Sequence, residues 1–213
     1  MVLLGPSGCG KSTLLHILAG LLEAKRGEVQ LDGEPAWLAR GRKQIAWMSQ
    51  RASLLPWMSV AENIALAQRV NPQNERVNLS VEELLGMVDL REYKQAYPFM
   101  LSGGMQQRVA LARTLALGAK LWLMDEPFAS LDEITRETLQ EKVLDLYSRF
   151  QTTVIWVTHS VYEALRLAQR VLVLSKRPAH IQAEFSLPSK LRDELFYAEY
   201  AKAVRHSLRL GLI

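Results

Sequence analysis

Val2-Leu3-Leu4-Gly5-Pro6-Ser7-Gly8-Cys9-Gly10-Lys11-Ser12 opens on apolar residues, crosses a glycine-rich loop and closes on Lys and Ser. Beyond it, apolar residues recur at helical spacing from Lys11 to Leu22, ahead of Gly27. The stretch therefore predicts strand, loop and helix in that order. Gly5 and Gly10 with the following Lys11-Ser12 fit the phosphate-loop pattern. Small glycine positions let successive backbone N–H groups close around phosphate oxygens, and the helix start adds partial positive charge. Lys11 brings a full positive charge, and the Ser12 hydroxyl is suited to a magnesium ion. The plainer alternative is a glycine turn before a core helix.

Outward from this loop the pattern alternates. Val29 to Leu31 reads as a strand closed by the turn Asp32-Gly33, and Ile45 to Ser49 as a second strand leading to Gln50. Ser59 with Glu62 and Ser80 with Glu83 have the spacing of capping boxes, so two helices are expected to start there. A further helix is expected from Ser102-Gly103 towards Leu117. After it come a strand Leu121 to Met124, a helix from Glu133 to about Phe150 and a strand Thr153 to Val157. A short helix follows Ser160, with Glu163 as its box partner, then a strand Val171 to Leu174 and a terminal helix from Ser189 to Leu210. Strands alternating with helices imply an α/β fold with a mainly parallel sheet covered on both faces. The expected division is a phosphate-loop core of residues 1–58 and 102–188, an inserted helical subdomain of residues 59–101, and a C-terminal helix in 189–213.

Composition narrows the function classes. The chain has 213 residues, 49% hydrophobic and 23% charged, which is ordinary for a globular protein and unlike a disordered one. Its formal net charge of +4 is spread along the chain, and Arg40, Arg42 and Lys43 form the one short basic group, so a nucleic-acid partner is not expected. The longest apolar candidate, Leu14 to Leu22, is far short of the 18 or so residues of a membrane span and contains His16. The start lacks the charged n-region of a secretory signal, and a single cysteine, Cys9, allows no internal disulfide; a reducing cytosol is the expected compartment.

Leu121-Trp122-Leu123-Met124-Asp125-Glu126 is an apolar strand that ends in two carboxylates, at the edge where an open parallel sheet presents ligands. Beside a phosphate loop, Asp125 is placed to hold a magnesium shell and Glu126 to polarise an attacking water as general base. Alone, such a pair is an ordinary solvated loop. Likewise Leu101-Ser102-Gly103-Gly104-Met105-Gln106 reads alone as a helix cap.

Taken in order, the phosphate loop, Gln50, Leu-Ser-Gly-Gly-Met-Gln, the strand with Asp125-Glu126, Ser130-Leu131-Asp132 and His159 resemble the ATP-binding cassette (ABC) family over nearly the whole chain. The resemblance implies a P-loop NTPase fold and an ATPase that uses ATP and Mg2+. It places Gly5, Pro6, Ser7, Gly8, Cys9, Gly10, Lys11, Ser12 and Thr13 around the nucleotide, and Ser12, Gln50 and Asp125 around the metal. Lys11, Gln50, Glu126 and His159 would carry catalysis, Gln50 at the metal or attacking water and His159 at the terminal phosphate. Ser102, Gly103, Gly104 and Gln106 would complete the nucleotide site of a second copy in a homodimer or pseudo-dimer. Asp132 would lie at the dimer seam, or cap the following helix, or both.

Leu54-Leu55-Pro56-Trp57-Met58-Ser59-Val60 and Met124 through Asp132 look like the nitrate, sulfonate and taurine importers within that family. This implies a peripheral protein on the cytoplasmic face of the plasma (inner) membrane, coupled to transmembrane permease subunits and, through them, to a periplasmic or extracellular solute-binding protein. Leu54, Leu55 and Trp57 would dock a permease helix, or else plug the core. Family members carry further residues before the phosphate loop, which supply antiparallel strands and an adenine-stacking aromatic residue. Here Met1 precedes Gly5 closely, so the resemblance implies an incomplete N-terminus and antiparallel lobe. Two alternatives follow: a cassette that binds nucleotide but hydrolyses poorly, or a non-transport ABC ATPase.

Overall fold

The computed structural model describes residues 1–72, 79–188 and 194–211. Its strands are β1 (Val2–Leu4), β2 (Gln30–Leu31), β3 (Glu34–Pro35), β4 (Ile45–Met48), β5 (Leu121–Asp125), β6 (Thr153–Thr158), β7 (Arg170–Leu174) and β8 (Ile181–Ser186). Its α-helices are α1 (Lys11–Leu18), α2 (Ala36–Gly41), α3 (Val60–Val70), α4 (Val81–Met87), α5 (Gly103–Ala116), α6 (Glu133–Phe150), α7 (Val161–Leu167) and α8 (Glu194–Leu210). The chain forms two compact units, one of Met1–Ile17 with Ile155–Ile213, the other of Leu18–Val154.

In the first unit β1 lies between β6 and β7, parallel to both, with Leu3 opposite Val157 on one side and Leu172 on the other. Val2, Leu3 and Leu4 are buried, as are Trp156, Val157, Val171 and Val173 around them. Such unbroken apolar runs are what a parallel strand covered on both faces requires. Helix α7 packs on β1, and α8 packs on β7, β8 and α7. Strand β8 pairs antiparallel with β7, Val171 facing Phe185. The strands expected from sequence end at Leu174 and do not include β8, because Ile181 to Ser186 mixes Gln182 and Glu184 with apolar residues and remains largely solvent-facing, as an edge strand does.

In the second unit β4 and β5 run parallel, in register from Ile45 opposite Leu121 to Met48 opposite Met124. Strands β2 and β3 form a separate antiparallel hairpin through Asp32-Gly33, whose φ angles of 53° and 81° make the turn that suits the twist of paired strands. The expected strand from Val29 is thus shorter, and the unanticipated α2 follows it. Helix α1 ends at Leu18 rather than Leu22. Gly20, at φ +64°, leaves the helix in the left-handed region, and a Cβ there would lie 2.7 Å from the Trp37 backbone nitrogen, so the α2 start packs where further helix would run.

Both expected capping boxes close at α3 and α4. Ser59 N–H donates to Glu62 at 2.7 Å while Glu62 N–H donates back to Ser59 Oγ at 3.3 Å, and Ser80 and Glu83 repeat this at 2.7 and 3.2 Å. Helices α3 and α4 pack on α5. The box expected at α7 forms differently: Ser160 Oγ accepts from Glu163 N–H, but the Glu163 carboxylate accepts from Thr158 Oγ1 at 2.6 Å, and Ser160 N–H donates to that same Thr158 oxygen. Of the terminal helix expected from Ser189, the segment 189–193 lies outside the described residues, and α8 begins at Glu194.

Candidate nucleotide site

In the first unit β1 delivers the chain into the glycine loop, and α1 starts at Lys11. Gly8 and Gly10 have φ of +76° and +114°, and a Cβ at either would meet nothing within 4 Å, so backbone conformation, not crowding, demands glycine there. Gly5 is different: a Cβ would sit 3.1 Å from Leu174 and 3.2 Å from Cys9 Sγ. Cys9 is buried with its sulfur turned towards that contact. Lys11 is also buried, its ammonium donating to the carbonyls of Gly5 at 2.8 Å and Pro6 at 2.9 Å, which folds its charge back over the loop. Ser7, Ser12 and Thr13 are exposed, while Pro6 is half-buried. His159 follows β6 directly and is exposed; the hydrogen bonds among Thr158, Ser160 and Glu163 fix the turn that carries it.

In the second unit the β4–β5 register brings Gln50 beside Glu126. Gln50 Nε2 donates to Glu126 Oε2 at 3.3 Å, although the two lie 76 residues apart in sequence. Asp125 ends β5 and is buried. Glu126 has φ of 48°, a left-handed conformation that costs a non-glycine residue about 1–2 kcal/mol. The turn after it, closed by Ala129 N–H to Glu126 O at 3.2 Å and Leu131 N–H to Phe128 O at 3.2 Å, holds that conformation. Strain of this kind concentrates where a side chain must be aimed.

Ser102 caps α5, its Oγ accepting from Met105 N–H at 3.2 Å, and Ser102 and Gly103 are exposed. Gly104 packs against the turn before α6: a Cβ there would stand 3.3 Å from Ser130 O. Gln106 turns back, donating to Pro98 O at 2.9 Å and Leu101 O at 3.3 Å, so its amide braces the loop ahead of the helix. Asp132 accepts from Thr135 N–H at 3.0 Å as the N-cap of α6, and this backbone hydrogen bond holds its carboxyl below the usual aspartate value. Trp57 is 70% exposed, while Leu54 and Leu55 are half-buried, so the indole does not plug a core.

Two residues without a signal in the sequence shape the loop after Gln50. Arg113 on α5 donates to the carbonyls of Ala52 and Ser53, each at 3.0 Å, and Asn63 on α3 binds the backbone of Leu55, Met58 and Ser59. An Arg and an Asn inside helices read as solvated positions; only tertiary packing reveals their partners.

The ABC transporter family model matches residues 1–129. An uncharacterized ABC transporter ATP-binding protein of Methanocaldococcus jannaschii is 40% identical over 214 residues, covering 98% of this chain and 79% of the relative. A taurine import ATP-binding protein of Jannaschia is 43% identical over 88% of this chain and 70% of its own, and an aliphatic sulfonates import ATP-binding protein of Bacillus cereus 38% identical over 100% and 85%. The dimeric post-hydrolysis structure of an ATP-binding cassette bound to ADP and Pi superposes with a TM-score of 0.77 at 29% identity, covering 89% of this chain and 85% of that one. The fold is therefore the P-loop NTPase fold of the ATP-binding cassettes, and the site belongs to a nucleotide-binding ATPase. The chain belongs to the ABC transporter family.

Proposed function

We propose that this chain is the ATP-hydrolysing subunit of an importer for a small sulfonate, coupling ATP binding, dimerisation and hydrolysis to solute uptake through a membrane permease. The observation that carries hydrolysis is the Gln50–Glu126 hydrogen bond at 3.3 Å, made to a carboxylate held in a strained turn at the end of β5. In this reading Glu126 takes the proton of the attacking water, Gln50 orients that water, and Lys11 and the glycine loop hold the phosphates. His159 contacts the terminal phosphate. Electrostatic positioning of this kind accounts for most of phosphoryl-transfer catalysis. Ser12 and Asp125 offer the hard oxygen donors that suit Mg2+, with Gln50 as a further ligand. When bound, the metal neutralises charge on the terminal phosphates.

The exposed Ser102-Gly103 start of α5, flanked through Gly104 by the Ser130–Asp132 turn, supports pairing with a second copy whose nucleotide it would cover. For the permease, Trp57, Phe99 and Met100 supply exposed apolar contacts: Val60 N–H and Ala61 N–H bond to Ala96 O and Lys94 O, which sets the segment before Phe99 beside the α3 start. Segment 59–101 then acts as the permease-facing subdomain. The relatives named for taurine and aliphatic sulfonates support the solute class. No described helix is long and apolar enough to cross a membrane. The importer reading itself places the chain at the cytoplasmic face, peripheral to the permease. Steady-state ATP hydrolysis by the chain and by Glu126→Gln tests the reading. Loss of turnover with nucleotide binding retained supports it, and unchanged turnover in the variant refutes it.

A further inference from the structure

The segment from Gln50 to Ser59 has no regular secondary structure, yet it sets where the Gln50 amide stands. Its neck is tied locally: Ser49 Oγ donates to Arg51 O at 2.6 Å, Ser53 Oγ donates to the same carbonyl at 3.2 Å, and the two hydroxyls are 3.3 Å apart. Ser53 itself sits at φ 45°, a left-handed conformation that an isolated loop would seldom keep. The next two carbonyls, Ala52 O and Ser53 O, point at the guanidinium of Arg113, each accepting one N–H at 3.0 Å.

We infer that Arg113 is a positioning residue for Gln50: by clamping the Ala52 and Ser53 carbonyls to α5, it fixes the loop so that the Gln50 amide stays on the Glu126 carboxylate. The inference rests on the hydrolytic reading of Gln50 and Glu126. A planar guanidinium spans two adjacent carbonyls as a fork, which a lysine ammonium does not. Burial lowers the Arg113 pKa from its ordinary value, so its charge is held in place against a desolvation cost. Because α5 begins at Ser102-Gly103, the clamp also makes the loop of Gln50 and the exposed start of that helix one mechanical piece.

The test uses the full chain with Arg113→Lys, Arg113→Ala, Gln50→Ala and the Arg113→Ala/Gln50→Ala double variant. With Mg-ATP, each Arg113 variant is expected to lose about tenfold to hundredfold in kcat, the range that misplacement of a catalytic group produces, with KM within about twofold. In the Gln50→Ala background the Arg113 substitution should cost nothing more. Full kcat in Arg113→Ala, or an undiminished further loss in the double variant, overturns the inference in favour of a general scaffold role. A wild-type chain without turnover, or full turnover in Gln50→Ala, would instead sink the hydrolytic reading. The clamp is then judged by hydrogen exchange: faster exchange at the amides of 51–55 in Arg113→Lys, with α5 unchanged, supports it, and unchanged exchange there overturns it.

Discussion

Replacing Asn63 by alanine should unfold this protein more readily than any ordinary surface change, and the structure sets the size of the effect. Asn63 is fully buried in α3, with all of its amide hydrogen-bonding directed at the preceding loop. Oδ1 accepts from Leu55 N–H at 2.9 Å, and Nδ2 donates to Leu55 O at 3.2 Å, Met58 O at 3.0 Å and Ser59 O at 3.0 Å. After truncation Leu55 O keeps Met58 N–H at 3.1 Å, and Ser59 O keeps Asn63 N–H at 2.9 Å. Leu55 N–H and Met58 O are the groups left orphaned. Two orphaned groups at about 1–3 kcal/mol each give about 2–6 kcal/mol. Because Leu55 and Met58 are only half-buried, water reaches them in part and the lower half applies, about 2–4 kcal/mol. At about 2–4 °C per kcal/mol for a chain of this size, Tm should fall by about 4–16 °C. Asn63→Asp keeps the acceptor for Leu55 N–H but turns a carboxylate oxygen towards three carbonyls, so at neutral pH it should be at least as unstable as the alanine variant. Urea and thermal unfolding measure both variants. A loss under about 1 kcal/mol for Asn63→Ala, or an aspartate variant clearly more stable than it, would refute the reasoning.

Four further outcomes are expected. Glu126→Gln should lower kcat by about 10²–10⁴-fold, the usual contribution of a general base, while a fluorescent ATP analogue binds as before; equal kcat would remove Glu126 from the role. Gly10→Ala, at φ +114°, should abolish nucleotide binding with little change in Tm, since the strain falls on the loop, and wild-type affinity would show that the loop tolerates a side chain. N-Ethylmaleimide should label Cys9 slowly, because the thiol is buried, and ATP should slow it further; equal rates with and without ATP would contradict its place in the phosphate loop. Backbone hydrogen bonds from Ser59 and Ser80 hold Glu62 and Glu83 below the ordinary 4.5, so their stabilisation is complete above that value and is lost as pH falls through the lowered folded values. A Glu62→Gln/Glu83→Gln variant should therefore lose less stability on acidification than the wild type, and parallel stability–pH curves would exclude this linkage.

What the sequence makes legible is whatever is written locally. The glycine loop, the two capping boxes and the β5 run announce themselves because phosphate binding, helix starts and buried parallel strands each demand particular residues at fixed short spacing. The misses share one cause, a partner that belongs to another element. Helix α1 stops early because α2 occupies the space beside Gly20, and β8 exists because β7 offers it an edge. The Glu163 carboxylate takes the hydroxyl of Thr158, buried at the end of β6, while its N–H keeps the Ser160 cap. None of those competitors lies in the element whose reading it overturns.

The same logic explains why Gln50 is easy to name and hard to place. Its segment lacks the periodicity that would specify a shape, and left-handed φ at Ser53 is disfavoured for serine. Arg113 from α5 and Asn63 from α3 impose that shape on successive stretches of backbone, one on 52–53 and the other on 55–59. Each is a hydrogen-bonding residue inside an otherwise ordinary helix, Arg113 reaching a loop 60 residues earlier and Asn63 the loop just ahead of its own helix, and each acts on carbonyls and amides that the loop cannot satisfy by itself. Between these two anchors, Gln50 reaches Glu126 at one end and Trp57 stands exposed at the other. A loop so held will move chiefly when α3 or α5 moves. The exposed Trp57 and the Gln50 amide should therefore respond together to a displacement of either helix, and spectral changes of a Trp57 reporter should track the loss of Gln50-dependent turnover across Arg113 and Asn63 variants.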